Sequence, residues 1–409
     1  MKKKIFLKHG REESIKRFHP WIFSGAVKSM DSDVNEGDTV SVYSSEGEFL
    51  CRGHYEPGSI AVRILTFVDE EIDEQFFKNR ISDAYRMRQK YVFPAFTGDI
   101  LPEQRSSLIT HHSSLNNVYR LVHGEGDLLS GLIVDIYGDM AVMQAHSIGM
   151  GKSWKLIAKT LTEVCENVKY VYNKSSSTLP KGKYIADDEW LSDKKELPAT
   201  VYEYGNRFEI NPEEGQKTGF YIDQRENRLL LQKYSHGASV LNLFSYTGAF
   251  SVYAMKGGAA KVDSVDSSTK AIAVANRNVE LNFGNTANHK GIVSDSFDYL
   301  KETDENYDLI ILDPPAFAKH QSAVRNALQA YKRLNAKAME RLVAGGILFT
   351  FSCSQAINKQ QFLQAVFSAA TIAGRQASIL HYLNQPADHP VNIYHPEGDY
   401  LKGLVIYIK

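Results

Sequence analysis

In the first part of the chain, apolar and polar positions alternate in short bursts separated by turn signals. Val40-Ser41-Val42-Tyr43 follows Asn35-Glu36-Gly37-Asp38. Glu48-Phe49-Leu50-Cys51-Arg52-Gly53 follows Ser45-Glu46-Gly47, and Ser59 to Leu65 follows Pro57-Gly58. A period of two puts successive side chains on opposite faces of a strand, so these runs predict a small all-β barrel over residues 1–70. The acidic run from Asp69 to Glu74 marks a boundary, because the period then changes. Ile72, Phe76, Phe77, Ile81 and Tyr85 recur at helical spacing. Strand patterns at 118–122, 131–137 and 140–145, with a helix near 152–166, predict a small α+β domain over 75–195. The polar stretch Asn173-Lys174-Ser175-Ser176-Ser177 leads out of it.

From 197 to 409 strand and helix patterns alternate regularly. Strands are predicted at 238–243, 261–265, 290–293, 307–312, 346–352, 376–382 and 403–408, with helices such as 268–282 and 322–343 between them. This is the signature of an α/β fold with a doubly wound, mostly parallel sheet. Ligands of such sheets bind beyond the carboxyl ends of the strands, near the point where strand order reverses. Chemistry is therefore to be sought just after each strand.

Composition changes the picture in three ways. The three cysteines, Cys51, Cys165 and Cys353, lie far apart, which excludes a disulfide framework and any Cys-x-x-Cys metal site. No apolar run is long enough to cross a bilayer, and the start lacks a signal-peptide core, so a cytoplasmic chain without membrane partners is expected. The net charge of -1 removes bulk basicity as a sign of nucleic acid but leaves room for a local basic face. Lys2, Lys3, Lys4, Lys8, Arg11, Lys16 and Arg17 form such a lead. It reads either as a solvated face or as a contact to an RNA backbone.

The strand ends carry the candidate chemistry. After 238–243 come Phe244, Ser245, Tyr246, Thr247 and Gly248. A dinucleotide would need several glycines for close approach of its pyrophosphate. One glycine with small polar neighbours suits S-adenosylmethionine, which has no phosphate, although an ordinary strand-to-helix turn would look similar. Asp266, with Ser267, can accept from ribose hydroxyls, or can cap the next helix along with Ser268. Asp295, with Ser296, can accept from an adenine amino group or act as a cap. The fourth strand ends in Asp313-Pro314-Pro315-Ala316-Phe317. Two prolines cannot continue a ladder, so they stiffen the chain and leave carbonyls free for a planar ligand. The fifth ends in Ser352-Cys353-Ser354. Buried cysteine is usually inert, but a cysteine on the active edge of the sheet is a candidate nucleophile.

Together Asp313 and Cys353 suggest pyrimidine chemistry. Addition of a thiolate to carbon 6 of cytosine makes carbon 5 nucleophilic, and an acidic group at the ring nitrogen eases that addition. Phe317 offers a stacking surface to a base taken out of its stack. Methylation of an amino group needs the Asp-Pro-Pro clamp but no cysteine, so Cys353 separates these two readings. A non-catalytic RNA-binding factor is the third.

The chain resembles the bacterial ribosomal RNA large subunit methyltransferase I family, cytosine-5 methyltransferases with an N-terminal PUA domain. The resemblance rests on several motifs. They are His19-Pro20-Trp21-Ile22-Phe23-Ser24-Gly25-Ala26, Glu36-Gly37-Asp38-x-Val40, Arg120-x-Val122-x-Gly124-Glu125-x-Asp127, the run from Gln216 to Arg225, Asn242 to Gly248, Asp313-Pro314-Pro315-x-Phe317 and Ser352-Cys353-Ser354. It implies a PUA barrel, a central α+β domain and a Rossmann-like catalytic domain. It also implies S-adenosylmethionine as cofactor, a cytosine of 23S rRNA as substrate and Cys353 as nucleophile. Pro314, Pro315 and Phe317 would meet the base, and Asp313 would serve both base and cofactor. Residues 216–225 resemble the family's segment that closes over the cofactor, which adds Thr218, Phe220 and Asp223. Ala316 stands where related sequences often carry Lys, and Ser130 where they often carry Pro. A homodimer is compatible with this reading.

Overall fold

Six short strands open the chain: β1 (Lys3–Leu7), β2 (Trp21–Phe23), β3 (Val27–Met30), β4 (Thr39–Tyr43), β5 (Phe49–Tyr55) and β6 (Ile60–Thr66). They form one sheet in the order β2-β6-β5-β4-β1-β3 around Ile5, Leu7, Ile22, Val40, Val62 and Ile64. The computed structural model describes residues 3–93, 116–180, 184, 186–318 and 320–409. Lys2 of the basic lead lies outside them. The period-two runs correspond to β4, β5 and β6. The basic lead contains a strand that periodicity does not announce. β1 has only Ile5 and Leu7 fully buried, and its parallel register with β4 (Lys3 opposite Val40) is a long-range contact.

The strands β7 (Val118–His123), β8 (Leu132–Tyr137), β9 (Met140–Ala145), β10 (Tyr170–Asn173) and β11 (Glu189–Trp190) form a second sheet in the order β11-β10-β9-β8-β7. The helix Glu74–Met87 buries Phe76, Phe77 and Ile81, and the Asp73 side chain caps it by accepting from Phe76 N. The helix expected near 152–166 is two, Ile148–Lys152 and Trp154–Val164, which meet at Ser153. The polar stretch after 173 is not a solvated exit. Asn173 and Ser175 are buried, and the Ser175 hydroxyl accepts from Ala145 N at 2.9 Å while donating to Asn173 Oδ1. Polar residues can be buried there because each finds a partner.

Two further strands, β12 (Ala199–Glu203) and β13 (Asn206–Ile210), precede the last sheet. Its strands are β14 (Ser239–Leu243), β15 (Lys261–Asp266), β16 (His289–Val293), β17 (Tyr307–Leu312), β18 (Leu342–Ser352), β19 (Ala377–Leu383) and β20 (Lys402–Ile408), in the order β16-β15-β14-β17-β18-β20-β19. Neighbours from β16 to β18 run parallel, and β20 runs antiparallel to both β18 and β19. Alternate side chains serve opposite faces. Val240, Leu309, Ile311 and Phe349 pack with the helices Arg225–Tyr234 and Ala249–Lys256. Leu241, Ile310 and Leu348 pack with Val324–Glu340 and Lys359–Ile372. Both faces are covered, which is why these strands read as nearly continuous apolar runs. Strand order reverses between β14 and β17, so their carboxyl ends form the crevice expected to hold a ligand.

The chain divides into two compact units. One comprises residues up to Gly205 with Ile210–Ile222 and Ala387–Gly398; the other comprises Asn206–Glu209, Asp223–Pro386 and Asp399–Lys409. Among the described residues, no helix is long and apolar enough to cross a membrane.

Candidate active site

The turn after β14 is held in an unusual backbone. Phe244, Tyr246 and Gly248 all have positive φ, at 56°, 47° and 75°. For the two aromatic residues this is a costly conformation that persists only where its surroundings enforce it. Three hydrogen bonds do so. Phe244 N donates to Ser296 Oγ (3.2 Å), Ser245 N to Val265 O (3.0 Å) and Tyr246 N to Asp266 Oδ2 (2.9 Å). At Gly248 a Cβ would lie 2.8 Å from Ala275 Cβ, so the helix Thr269–Phe283 passes too close for any side chain. Ser245 Oγ and Thr247 Oγ1 are buried and have no hydrogen-bond partner among the described residues. Buried hydroxyls without partners are costly, and a polar ligand in this crevice would satisfy them.

Asp266 and Asp295 are more occupied than the sequence implies. Asp266 Oδ1 accepts from Ser268 N at 2.9 Å, so both its oxygens hold backbone. Ser268, not Asp266 or Ser267, caps the following helix by accepting from Ala271 N. Asp295 caps the helix Ser296–Glu302, with Oδ1 accepting from Phe297 N (2.8 Å) and Asp298 N (3.2 Å). The buried Ser296 serves the Phe244 turn.

Asp313 and Cys353 stand at the ends of adjacent strands, and their loops are stitched together. The Cys353 thiol donates to Pro314 O at 3.9 Å. Ser354 Oγ accepts from Ala318 N (3.2 Å) and meets Tyr331 Oη (3.1 Å). The Phe317 ring lies 4.7 Å from that of Tyr331, so one of its faces belongs to the core. Pro314 is buried and Pro315 exposed. Burial pushes the Asp313 carboxyl up to about 7; Asp223 adds to the shift, while the hydrogen bond from Gln224 and the charge of Arg228 oppose it. Gln224 Nε2 donates to Asp313 Oδ1 at 3.1 Å. Near neutral pH this acid can therefore carry a proton.

A model of the S-adenosylmethionine-dependent methyltransferases matches residues 131–405, and a PUA-like domain model matches residues 5–67. The ribosomal RNA large subunit methyltransferase I of Aeromonas salmonicida is 37% identical over 409 residues, covering 98% of each chain. That of Escherichia coli O139:H28 is 35% identical over 411 residues, covering 99% of each. The chain belongs to this family. A SAM-dependent methyltransferase structure from Streptococcus mutans shares the fold over 100% of both chains, with TM-score 0.81 and 24% identity. Another methyltransferase structure, complexed with SAH, gives TM-score 0.82 at 24% identity over the same coverage. The PUA-like barrel and the Rossmann-like methyltransferase sheet expected from sequence are both present, and S-adenosylmethionine is the cofactor.

Within this family fold, the run 216–225 is divided. Thr218 and Phe220 are in the first compact unit and are buried. Thr218 Oγ1 donates to Asp135 Oδ2 (2.6 Å) and meets Tyr137 Oη (2.8 Å), so its hydroxyl already has partners. Asp223 is in the second unit, where its Oδ2 accepts from Tyr400 Oη at 2.6 Å. Of the two departures from related sequences, Ser130 has the clearer local role. It is buried and donates to Glu125 Oε1 at 2.8 Å, an oxygen that also accepts from the Trp21 indole at 2.9 Å.

Sequence reasoning included Gln224 only as part of the run 216–225, with no role, and passed over Arg228, Tyr331 and Lys402. Lys402 is the least expected. It is buried on β20 opposite Ser352 and donates from Nζ to Ser354 O at 2.7 Å. Burial lowers its ammonium to about 8, against a smaller upward pull from Cys353 and Asp399. Lys402 stands just before the predicted apolar run 403–408, so nothing in the pattern announced its burial; a charge is rarely buried without a task or a partner. Among the described residues no group of acidic, histidine or cysteine side chains could hold a metal ion.

Proposed function

We propose that the chain forms 5-methylcytosine in 23S rRNA, with Cys353 as nucleophile and Asp313 as the acid beside the base. The observation that carries this reading is the thiol of Cys353 against the Pro314 carbonyl, which brings the nucleophile and the base-holding turn together at the ends of two adjacent strands. The names of its relatives support ribosomal RNA of the large subunit as the substrate.

In this reading Ser245, Thr247 and Gly248 receive the amino-acid end of S-adenosylmethionine, with Phe244 and Tyr246 shaping the turn. Asp266, Ser267, Asp295 and Ser296 flank its nucleoside, with Asp223 of the same unit as a further cofactor contact. Bound there, the cofactor supplies an electrophilic methyl group on its sulfonium. Pro314, Pro315 and Phe317 hold the flipped cytosine. Asp313, protonated near neutral pH, donates to the ring nitrogen as the Cys353 thiolate adds to carbon 6. The bond pair then makes carbon 5 the nucleophile. After methylation a base removes the proton at carbon 5, the carbon–sulfur bond breaks to return the thiolate, and the ring nitrogen gives its proton back to Asp313. The buried ammonium of Lys402 favours that thiolate. The domains are taken as 1–70, 75–195 and 197–409, in a cytoplasmic enzyme.

Bisulfite mapping of rRNA from cells with and without the gene tests the reading. One cytosine should lose its protection in the deletion strain. Restoring the gene as Cys353→Ala should leave it unprotected, with turnover in vitro down by at least about 10³-fold. A methylated purine amino group, read by nucleoside mass spectrometry, would support amino-group chemistry instead and reduce Cys353 to packing.

A further inference from the structure

Two buried amide side chains stand behind Asp313, and the proposed chemistry does not use them. Gln224 is 2% exposed and Asn227 is 4% exposed. A single line of hydrogen bonds joins them to the carboxyl. Asn227 Nδ2 donates to Asn384 O (3.3 Å) and to Gln224 Oε1 (2.6 Å), and Gln224 Nε2 donates to Asp313 Oδ1 (3.1 Å). Gln224 and Asn227 stand at the start of the helix Arg225–Tyr234, and Asn384 directly follows β19. All four residues lie in the second compact unit.

This line has one direction. An amide side chain has one end that donates and one that accepts, so its orientation is decided by what each end faces. The Asn384 carbonyl can only accept, and it therefore fixes the donor end of Asn227. The same NH2 group then meets Gln224 at its oxygen, which leaves the Gln224 NH2 group facing Asp313. Asp313 Oδ1 is thus the accepting oxygen. A protonated carboxyl accepts best through the oxygen that lacks the hydrogen, so the proton of Asp313 belongs on Oδ2. Burying two amides is costly unless each polar end is satisfied, and here the satisfied arrangement also sets the polarity of the acid.

A pyrimidine reads that polarity on its Watson–Crick edge. The ring nitrogen N3 of cytosine accepts, whereas N3 of uracil carries a hydrogen and donates. A hydrogen on Asp313 Oδ2 matches the first and opposes the second.

We propose that the line from Asn384 O through Asn227 and Gln224 selects cytosine over uracil by fixing the Asp313 proton on Oδ2, with Gln224 and Asn227 as positioning residues. The inference rests on the reading that Asp313 faces the target base, and adds how that base is chosen. The proton passes from Oδ2 to N3 as the Cys353 thiolate adds, and returns when the carbon–sulfur bond breaks. Burial keeps Asp313 protonated up to about 7. Above that pH its carboxylate accepts, so cytosine loses its acid while the bar to uracil weakens. Asp223 favours the proton and Arg228 opposes it. From the adjoining strands, the Cys353 thiol lies against Pro314 O and Lys402 donates to Ser354 O. The thiol and Lys402 serve both bases alike, so their titration cancels in the ratio of cytosine to uracil rates.

The test is transfer of a labelled methyl group from S-adenosylmethionine to two transcripts. Both span the rRNA segment around the cytosine found by bisulfite mapping; one keeps that cytosine and the other has uracil in its place. At pH 6.5 kcat/KM for cytosine should exceed that for uracil by roughly 10⁴-fold, as in sites built around one hydrogen bond. The ratio should fall about 100-fold between pH 6.5 and 8.5, as the acid is lost and the carboxylate gained. Gln224→Glu reverses the line: the new carboxylate takes the Asp313 proton on the Oδ1 side and leaves Oδ2 to accept. It should lower the ratio at pH 6.5 at least 100-fold. Asn227→Leu frees the Gln224 amide to turn and should lower the ratio at least fivefold. A poorly folded variant slows both reactions by the same factor, so the ratio still reports. A ratio unchanged in either variant, or independent of pH in the wild type, overturns the inference and leaves cytosine methylation standing. A bisulfite map with no protected cytosine overturns the cytosine reading and this inference with it.

Discussion

Asp313 and Cys353 show how position sets the chemistry of a side chain. A carboxyl whose charge is penalised by burial holds a proton in the folded chain up to about pH 7. The unfolded chain releases it near the ordinary carboxylate value of about 3.9. Folded protein thus binds more protons than unfolded between these values, and stability falls as pH rises through that window. Asp313→Asn should flatten this part of the pH–stability curve. The change should be on the order of 2 kcal/mol across the window, discounted for partial exposure, as read by urea denaturation at several pH values. Lys402 acts on the neighbouring thiol in the opposite sense. Removal of a nearby cation raises a thiol pKa, so Lys402→Met should move alkylation of Cys353 by iodoacetamide to higher pH. Cys51 and Cys165 are buried and their thiols are pushed up, Cys165 to about 12, so they should stay silent in that assay. An unshifted profile would remove Lys402 from the account.

At the scale of elements, the site depends on turns that follow buried strands. The loop from Phe244 to Gly248 combines left-handed backbone with a helix packed against its glycine. Gly248→Ala would place a methyl group 2.8 Å from Ala275 Cβ while retaining φ of 75°. It should cost about 1–3 kcal/mol of stability and weaken S-adenosylmethionine binding by calorimetry more than tenfold. Undiminished cofactor affinity would show that the turn is structural only. Most of these elements were legible in the sequence. The seven strands of the last sheet fall within a few residues of their predicted runs, most plainly β14 and β17, because inner strands covered on both faces are apolar nearly throughout. β1, β2 and β3 were not legible. β2 and β3 have three and four residues, too few for a period to emerge, and β1 is selected by pairing with a strand 37 positions on.

For the whole molecule, the notable feature is a chain that leaves one compact unit and returns to it. Ala387–Gly398 belongs with the barrel and central sheet, although the residues before and after it belong to the methyltransferase unit. Within the first unit, Arg88 anchors this segment. Its guanidinium is fully buried, pairs with Asp127, and donates to Arg120 O (2.9 Å) and Asp388 O (2.8 Å). Asp388 Oδ2 accepts in turn from Arg120 N at 2.9 Å. Breaking a buried pair leaves an uncompensated charge, so Arg88→Ala should cost about 3–5 kcal/mol. Limited proteolysis should then cut between 387 and 398, where the wild type resists. Resistance equal to the wild type would mean that the segment is held by other contacts.

Sequence alone determined what local physics controls. Period-two and helical runs assigned the barrel, the central domain and the doubly wound sheet. Proline stiffness, a single glycine and strand-end position picked out Asp313, Gly248 and Cys353. Tertiary structure decided what depends on distant partners. It joined the Cys353 thiol to the Pro314 carbonyl, buried Lys402 beneath Ser354 and gave the Thr218 hydroxyl to Asp135. Cys353, one of three scattered cysteines, has a chemical setting only because β17 and β18 are neighbours. Hydrogen bonds and burial between residues far apart in sequence leave no periodic trace along it, so those relations appear only in the folded chain.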